Sequence, residues 1–209
     1  FRKSTERNQR YLIECISDLA IEDLSPRLGA DFRDYLFSKG LSSSSVRRIF
    51  STVKAVLNLC ISERGLHMIN PFGGVYIPDD DREIKRRSIP MSDIRNIQTE
   101  CFKFDDDQRW LIALISDTGM RLSEACGLLV EDIRLNEFIR YIKITPHPWR
   151  RLKTKGSERL LPLVGSSLWA AKRVVETATN ELAFPRYCSK TKVKANSASG
   201  SLNKWLRKR

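Results

Sequence analysis

The chain has 209 residues and a formal net charge of +12, with 41% hydrophobic and 30% charged residues. This composition is typical of a soluble globular protein with one large or two small domains. It excludes a membrane helix, because no segment approaches the roughly 18 to 20 consecutive apolar residues required. The start, Phe1–Ser4, is polar and lacks the apolar core of a signal peptide. Because the first residue is not methionine, we expect this sequence to be part of a longer protein.

The surplus of basic residues lies near the C-terminal end of the sequence. From Phe138 to Arg209 there are 17 basic and 3 acidic residues, whereas the preceding part has a net charge of −2. Such a block favours a polyanionic partner, most often nucleic acid, over a basic tail kept for solubility. Charge alone does not distinguish DNA from RNA.

The cysteines and histidines indicate structural roles. The five cysteines are scattered singly, and four have apolar neighbours, which is typical of core residues in a reducing compartment. Neither His67 nor His147 has a partner at metal-ligand spacing. We therefore expect no metal site.

Three helices are predicted before the first long irregular segment. Apolar positions place one helix over Asn8–Ala20 and a second over Asp31–Ser38, which Gly40 would end. Ser42–Ser45 offers N-caps for the longest helix, in which apolar residues from Val46 to Cys60 recur at three- and four-residue steps.

The opposite face of the longest helix carries basic side chains. Arg47, Arg48 and Lys54 lie on this face. It is either a solvated surface or a surface that lies along DNA. The pattern alone leaves both interpretations open.

Residues 78–90 have the composition of an interdomain linker. Prolines lie at both ends, and charges of both signs, including Arg86 and Arg87, follow no helical or strand period. We therefore predict a helical domain over residues 1–80, a linker over 81–90 and a second domain over 91–209.

The second domain begins with helices and continues with strands. Ser92 is the predicted cap of its first helix, and apolar runs predict helices over Asp105–Ser116 and Leu122–Leu129. Alternation then predicts strands over Phe138–Ile144 and Arg159–Leu163, in a hairpin or small antiparallel sheet. Two further helices are predicted over 167–178 and 200–209. The expected fold class is mainly α with a small antiparallel β-sheet (α+β).

An arginine lies in the turn between two of these helices. Gly119 suits the left-handed end of one helix, and Ser123 and Glu124 suit the first turn of the next. Arg121 is therefore held in an elbow, where its fork of donors suits a phosphate. An ion pair with Glu124 is the alternative interpretation.

Two motifs in fixed order resemble those of the tyrosine recombinases, the phage integrase family. Residues 118–133, TGMRLSEACGLLVEDI, resemble the family's first arginine box, T-G-x-R-x-S-E-L-x-x-L-x-x-x-D-I. Residues 153–163, KTKGSERLLPL, resemble its lysine segment, K-T-x-x-S-x-R-x-x-P-L. The helical region that ends in Asn70-Pro71-Phe72 resembles the family's core-binding, SAM-like domain. The resemblance therefore covers nearly the whole chain.

The resemblance assigns roles to residues of both motifs. It implies that Arg121 clamps the scissile phosphate and that Lys153 is the general acid for the 5'-oxygen, with Lys155 as the competing candidate. Glu124 would fix the orientation of Arg121. The expected DNA-binding residues are Arg47, Arg48, Lys54, Arg86, Arg87, Arg150, Arg151, Lys155 and Arg159.

The family's second box, H-x-L-R-H, and its nucleophilic tyrosine have no match here. Lys204–Arg207 faintly resembles that box, but it fits better as the helix that precedes it. Tyr187 comes before any second box, so we expect it, with the earlier tyrosines, in the core or at its rim. The earlier tyrosines are Tyr11, Tyr35, Tyr76 and Tyr141. We therefore expect a catalytic domain truncated before the second box, which binds DNA without cleaving it.

The resemblance implies a site-specific DNA recombinase of the phage or prophage integrase type. Such an enzyme uses a covalent 3'-phosphotyrosyl intermediate and needs no metal or nucleotide cofactor. The expected partners are double-stranded DNA with attachment-type sites and, on DNA, three further copies in a homotetramer; off DNA we expect a monomer or weak oligomer. The expected location is the cytoplasm of a prokaryote, on the nucleoid when DNA is bound.

The sequence also bears on two alternative functions. The first alternative is a non-catalytic DNA-binding or regulatory relative that kept the fold and lost the nucleophile. An RNA-binding or purely structural basic protein is disfavoured by the two matched motifs.

Overall fold

The structure is a computed structural model that describes residues 2–79 and 88–208, apart from the side chains of residues 2, 3 and 155. The chain divides into two compact units, residues 1–86 and 87–209. Helices dominate and the sheets are small and antiparallel, which confirms the predicted fold class. No helix within the described ranges is long and apolar enough to cross a membrane.

The first unit contains the helices α1 (Arg2–Ile16), α2 (Pro26–Ser38) and α3 (Ser43–Glu63). α1 ends before the predicted Ala20, at Ser17, whose φ of 65° is left-handed. α2 begins earlier than predicted, because the Ser25 side chain caps it and proline suits the first helical position. The boundaries of these helices therefore follow local capping chemistry.

Aromatic residues and one face of α3 form the core of the first unit. The rings of Phe32, Phe50 and Phe72 contact one another with centroids 5.5 to 6.1 Å apart. Asn70 holds the segment that contains Phe72 against α3. Its Nδ2 donates to the Lys54 carbonyl at 3.1 Å, and its Oδ1 accepts from the Phe72 amide at 3.0 Å. The predicted apolar stripe of α3 is buried at Val46, Ile49, Phe50, Val53 and Leu57.

The second unit contains five further helices in its described part. They are α4 (Met91–Phe104), α5 (Asp107–Thr118), α6 (Leu122–Cys126), α7 (Gly165–Glu176) and α8 (Ala195–Leu206). α5 is buried along the centre of this unit and packs against α7. A buried central helix therefore precedes the turn that carries Arg121.

All the predicted helices of this unit are present, but their boundaries differ from the prediction. The differences are clearest at the start of α4, the end of α6 and the start of α8, which begins at Ala195 instead of residue 200. α4 follows Pro90 without a side-chain cap, and the hydroxyl of Ser92 bonds Asp93 inside the first turn. α6 was predicted to reach Leu129 but ends at Cys126. The Leu129 amide donates to the Asp132 carboxylate and not to a helical carbonyl, and a short 3-10 turn follows over Val130–Asp132. At the end of α6 a local side-chain bond therefore outcompeted the helical pattern.

A three-stranded antiparallel sheet follows, in the order β1 (Ile133–Arg134), β2 (Tyr141–Ile144) and β3 (Arg159–Pro162). Tyr141 pairs with Pro162 and Ile144 with Arg159. The strand predicted from Phe138 starts later, and Phe138 itself is fully exposed. The predicted lysine segment begins in the loop that joins β2 to β3 and continues through β3.

A second, smaller sheet pairs β4 (Cys188–Ser189) with β5 (Lys192–Val193). This hairpin precedes α8 and was missed in the sequence, because each of its strands has only two residues. Val193 packs against the hydrophobic core of the second unit.

Candidate active site

The elbow between α5 and α6 holds Arg121 as the sequence predicted. α5 ends at Gly119, whose φ of 63° places it in the left-handed region. Arg121 is the N-cap residue of α6, and its backbone N–H donates to Glu124 Oε2 at 3.0 Å. Glu124, in the first turn of the short helix, therefore caps the start of that helix and fixes the turn that carries Arg121.

Glu124 is the centre of the site, and its side chain is only 3% exposed. Its Oε1 accepts from Arg121 Nη1 at 2.7 Å, and its Oε2 accepts from Arg159 Nη2 at 2.9 Å. Burial raises the pKa of Glu124, but hydrogen bonds from Arg159 and Arg121 outweigh it and hold the pKa at about 2. The carboxylate is therefore ionised at neutral pH and fixes two guanidinium groups.

A 3-10 turn at Lys155–Ser157 brings the lysine segment to this cluster. The Ser157 hydroxyl is buried and lies 2.9 Å from Thr154 Oγ1. It also accepts a long hydrogen bond, 3.4 Å, from Arg121 Nη1. The two motifs that lie apart in the sequence therefore meet in the structure.

Arg121 remains accessible although it is paired, because 48% of its side chain is exposed. Within residues 2–79 and 88–208, the hydrogen bonds of its guanidinium group use Nη1, so Nε and Nη2 have no protein partner there. A fixed guanidinium with free donors is a suitable anion site. The ion-pair and clamp interpretations of Arg121 are thus compatible.

Arg159 was predicted to contact DNA, and the structure gives it an internal role as well. Its Nη1 donates to the Ser157 carbonyl at 2.7 Å and its Nη2 to Glu124. With 31% of its side chain exposed, it lies at the edge of the cluster. It therefore adds positive charge beside Arg121.

Lys153 lies in the exposed part of the β2–β3 loop, directly before Thr154. Across the described ranges, its ammonium group makes no hydrogen bond or ion pair with the protein. The side chain of Lys155, the competing candidate, lies outside the described residues. The assignment of the general acid to Lys153 stays a prediction.

Arg150 requires a correction to the sequence-based expectation. It was predicted to bind DNA, but only 2% of the residue is exposed. Its Nη1 donates to the Glu124 carbonyl at 2.9 Å and its Nη2 to the Thr145 carbonyl at 2.5 Å. Burial lowers the pKa of Arg150, and the carboxylates of Asp132 and Glu124 oppose that shift. A guanidinium enclosed in this way does not reach a phosphate.

The other predicted DNA-binding residues differ in solvent exposure and in whether their side chains are paired. Arg151 and Arg48 are exposed, and Lys54 is half-buried on α3. Arg47 is 42% exposed, but its guanidinium pairs with Asp79 and donates to the Ile77 carbonyl at 3.2 Å. The predicted residues Arg86 and Arg87 lie outside the described residues.

One polar pair was missed in the sequence. His147 Nε2 lies 2.9 Å from Asp132 Oδ2, and both side chains are largely buried. The His147 ring stacks on Trp149 with centroids 5.1 Å apart. The two residues are 15 positions apart, and no sequence pattern links them. They meet because β2 runs antiparallel to β1 and brings the following segment back beside Asp132.

The tyrosines differ widely in their exposure to solvent. Tyr187 is 1% exposed, as expected for a core residue. The Tyr35 hydroxyl donates to Glu14 in the first unit at 2.6 Å, and Tyr76 is 73% exposed. The environment of Tyr187 therefore offers it no access to DNA in this structure.

Family models match most of the chain. The model of the phage integrase family matches residues 89–209, and that of the phage integrase SAM-like domain matches residues 2–75. The chain belongs to the phage integrase family. As a member of these tyrosine recombinases, it is assigned by family to site-specific DNA recombination. No match was found among the curated proteins.

Solved integrases share this fold at low sequence identity. A Tn1549 transposon integrase in complex with transposon right end DNA gives a TM-score of 0.76 at 18% identity, over 100% of this chain and 73% of that one. The same integrase with circular intermediate DNA gives 0.72 at 19%, over 98% and 72%. A lambda integrase tetramer bound to a Holliday junction gives 0.73 at 15%, over 98% of this chain and 56% of that one.

Proposed function

We propose that this chain is part of a phage- or prophage-type integrase that breaks and rejoins double-stranded DNA through a covalent 3'-phosphotyrosyl intermediate. The observation that carries the proposal is the cluster of Arg121, Glu124, Ser157 and Arg159. It joins the two family motifs and leaves one face of Arg121 open. Family membership supplies the reaction class.

Arg121 is proposed to bind a non-bridging oxygen of the scissile phosphate. Attack by a hydroxyl places additional negative charge on these oxygens in the transition state. Glu124 binds the guanidinium at Nη1 and the main chain of the same residue at its N–H, so the cation does not have to reorganise during the reaction. Prearranged charge of this kind stabilises the transition state more than a mobile cation.

Lys153 is proposed to be the general acid. As the tyrosine oxygen bonds to phosphorus, the bond from phosphorus to the 5'-oxygen breaks, and that oxygen takes a proton from the Lys153 ammonium group. The tyrosine hydroxyl gives its proton to water and its oxygen becomes linked to the 3'-phosphate, while Lys153 is reprotonated from solvent. Rejoining reverses these steps, and no external energy source is required because the phosphotyrosyl bond conserves the energy.

The proposed partner is double-stranded DNA with attachment-type sites. The surplus of positive charge and the exposed side chains of Arg48, Arg151 and Lys153 support this partner. We further propose a homotetramer on DNA, by analogy with the lambda integrase tetramer bound to a Holliday junction. A cytoplasmic, nucleoid-associated location in a prokaryote belongs to the same proposal.

We also propose that the 209-residue chain binds DNA without cleaving it. The support is the burial of Tyr187, the tyrosine that follows both motifs. The two proposed domains, a core-binding domain over 1–80 and a partial catalytic domain over 91–209 with a linker between them, would both contact the duplex. The reactive tyrosine would be supplied by the full-length protein.

Replacement of the leaving group tests the proposed chemistry. In the full-length protein, Lys153→Ala should cleave a nicked suicide substrate poorly, but it should cleave a substrate with a 5'-bridging phosphorothiolate well, since a thiolate leaves without a proton. Lys155→Ala is the matched control and should be similarly active on both substrates. Failure of the rescue would refute the general-acid role of Lys153. Absence of any covalent adduct with the unmodified full-length protein would instead favour the non-catalytic relative.

A further inference from the structure

Arg150 is a buried residue shortly before the proposed general acid in the sequence. It is three residues from Lys153 in the β2–β3 loop, yet its guanidinium points inward and is almost completely buried. It donates from Nη1 to the carbonyl of Glu124 in α6 and from Nη2 to the carbonyl of Thr145 at the start of the loop. One side chain therefore connects the loop to the helix that follows Arg121.

The fold leaves space for this arginine at Gly127. A Cβ atom on Gly127 would lie 2.8 Å from Arg150 Cδ and 3.2 Å from Arg150 Cβ, closer than carbon atoms pack. It would also lie 3.0 Å from a methyl group of Val193. Because the φ of Gly127 is an ordinary −94°, close approach rather than backbone strain explains the glycine.

Polar neighbours hold Arg150 from the other side. Asp132 Oδ2 lies 3.7 Å from Arg150 Nη2 and 2.9 Å from His147 Nε2. The backbones of His147 and Arg150 exchange two hydrogen bonds of 3.1 and 2.9 Å, which close a tight turn. Trp149 Nε1 donates to the Gly127 carbonyl at 3.2 Å. The turn 147–150 is thereby attached to the segment that follows α6.

We propose that Arg150 is a positioning residue that sets the place of Lys153 relative to Arg121. The loop is fastened before Lys153 by Arg150 and after it by Ser157, which contacts Arg121 and Thr154. Lys153 lies on the short exposed stretch between these two anchors. The inference rests on the proposed role of Lys153 as the general acid, through which Arg150 acts.

Loss of the first anchor should affect proton transfer more than DNA binding. Displacement of a catalytic group by about 1 Å can reduce a rate by about 100-fold. Arg150 does not reach DNA, so its replacement removes no phosphate contact. The effect should therefore appear in the step that requires the Lys153 proton and should disappear when that proton is not needed.

The test compares two leaving groups in the full-length protein. Arg150→Met should cleave an ordinary nicked suicide substrate about 100-fold more slowly than the unmodified protein, and a 5'-bridging phosphorothiolate should restore most of the rate. Arg151→Met, the exposed neighbour, is the control for loss of one positive charge: because Arg151 is a proposed DNA contact, this variant should bind DNA more weakly, and the phosphorothiolate should not restore its rate. Lys153→Ala is measured beside them.

The outcomes separate the two proposals. If the phosphorothiolate fails to rescue Lys153→Ala, the general-acid assignment fails, and with it the proposed function of the loop. If Lys153→Ala is rescued but Arg150→Met is equally slow on both substrates, the positioning role of Arg150 is wrong. Equal activity of Arg150→Met and the unmodified protein on the ordinary substrate would also overturn it.

A milder variant covers the case in which Arg150→Met does not fold. Arg150→Lys keeps the charge but has one nitrogen instead of the fork, so it cannot bond both carbonyls in the same geometry. In the 209-residue chain, the Thr154 and Ser157 amides should exchange hydrogen faster in this variant, with the amides of α5 unchanged. Unchanged exchange at Thr154 and Ser157 would contradict the anchor.

Discussion

Glu124 binds Arg121 through both of its carboxylate oxygens, one to the guanidinium Nη1 at 2.7 Å and one to the backbone N–H at 3.0 Å. The same contact that pairs the arginine also fixes its direction. Arg159 shares the carboxylate from the other side. A single buried anion therefore organises two cations at the junction of the two family motifs.

The pKa of Glu124 predicts how stability depends on pH. In the unfolded chain this group has its ordinary pKa near 4.5, whereas in the folded protein its pKa is about 2. The group therefore stabilises the fold by roughly 3 kcal/mol above pH 4.5, and this contribution is lost as the pH falls from about 4.5 to 2. Glu124→Gln should lower the free energy of unfolding at pH 7 by about 2 kcal/mol.

Urea denaturation between pH 2.5 and 7 measures this effect. The curve for Glu124→Gln should be flatter than that of the unmodified chain in the acidic range. The Asp105 carboxyl, whose pKa is lowered by Arg173, titrates in both proteins and cancels in the difference. Glu131→Gln, at an exposed site, should be nearly neutral. Parallel curves for Glu124→Gln and the unmodified chain would contradict the assignment.

The elbow was predictable from the sequence because local rules determine it. Gly119 ends α5 in the left-handed conformation, and Glu124 bonds back to the start of α6. The apolar stripe of α3 likewise follows from its period and is confirmed by burial. These features depend on residues that are close in the chain.

The contacts that complete the site were not predictable, because they depend on tertiary structure. Arg150 has the sequence signature of a surface arginine in a basic loop, and only the approach of Gly127 and the Glu124 carbonyl buries it. The pair formed by His147 and Asp132 depends on the register of β1 and β2. Charge counts describe how many cations a segment carries, and packing decides which of them face outward.

Gly127→Ala should destabilise the chain through a clash with Arg150. The added carbon would lie 2.8 Å from Arg150 Cδ, and overpacking of this kind costs about 1 to 3 kcal/mol. Arg150→Ala should relieve the closest of these contacts, the one with Cδ, so the double variant should be more stable than the sum of the single effects predicts. The free energies of unfolding of the unmodified chain, the two single variants and the double variant, measured by heat or urea, form a double-mutant cycle.

A glycine in open space is the control for this cycle. Gly200 lies in α8, and a Cβ there would meet nothing within 4 Å. Gly200→Ala should therefore stabilise the chain by about 0.5 to 1 kcal/mol, as expected for alanine in a helix. Strict additivity of Gly127→Ala and Arg150→Ala would show that the two residues do not interact.

Arg47 and Arg48 should differ in their contribution to DNA binding. Arg48 is exposed and has no side-chain partner among the described residues, whereas Arg47 pairs with Asp79. Arg48→Gln should lower the slope of log K against log salt by about 0.9, the value for one phosphate contact. Arg47→Gln should change it less, since its guanidinium must first leave Asp79. A larger change for Arg47→Gln would contradict the proposed contact surface.

The Arg121 clamp is tested most directly by covalent trapping on a nicked suicide substrate with the full-length protein. The unmodified protein should accumulate a covalent complex with the 3'-phosphate. Arg121→Ala should form none at the same time points, a loss of at least about 100-fold, while DNA binding is largely retained because one of many phosphate contacts is removed. Trapping of Arg121→Ala at the rate of the unmodified protein would contradict the account.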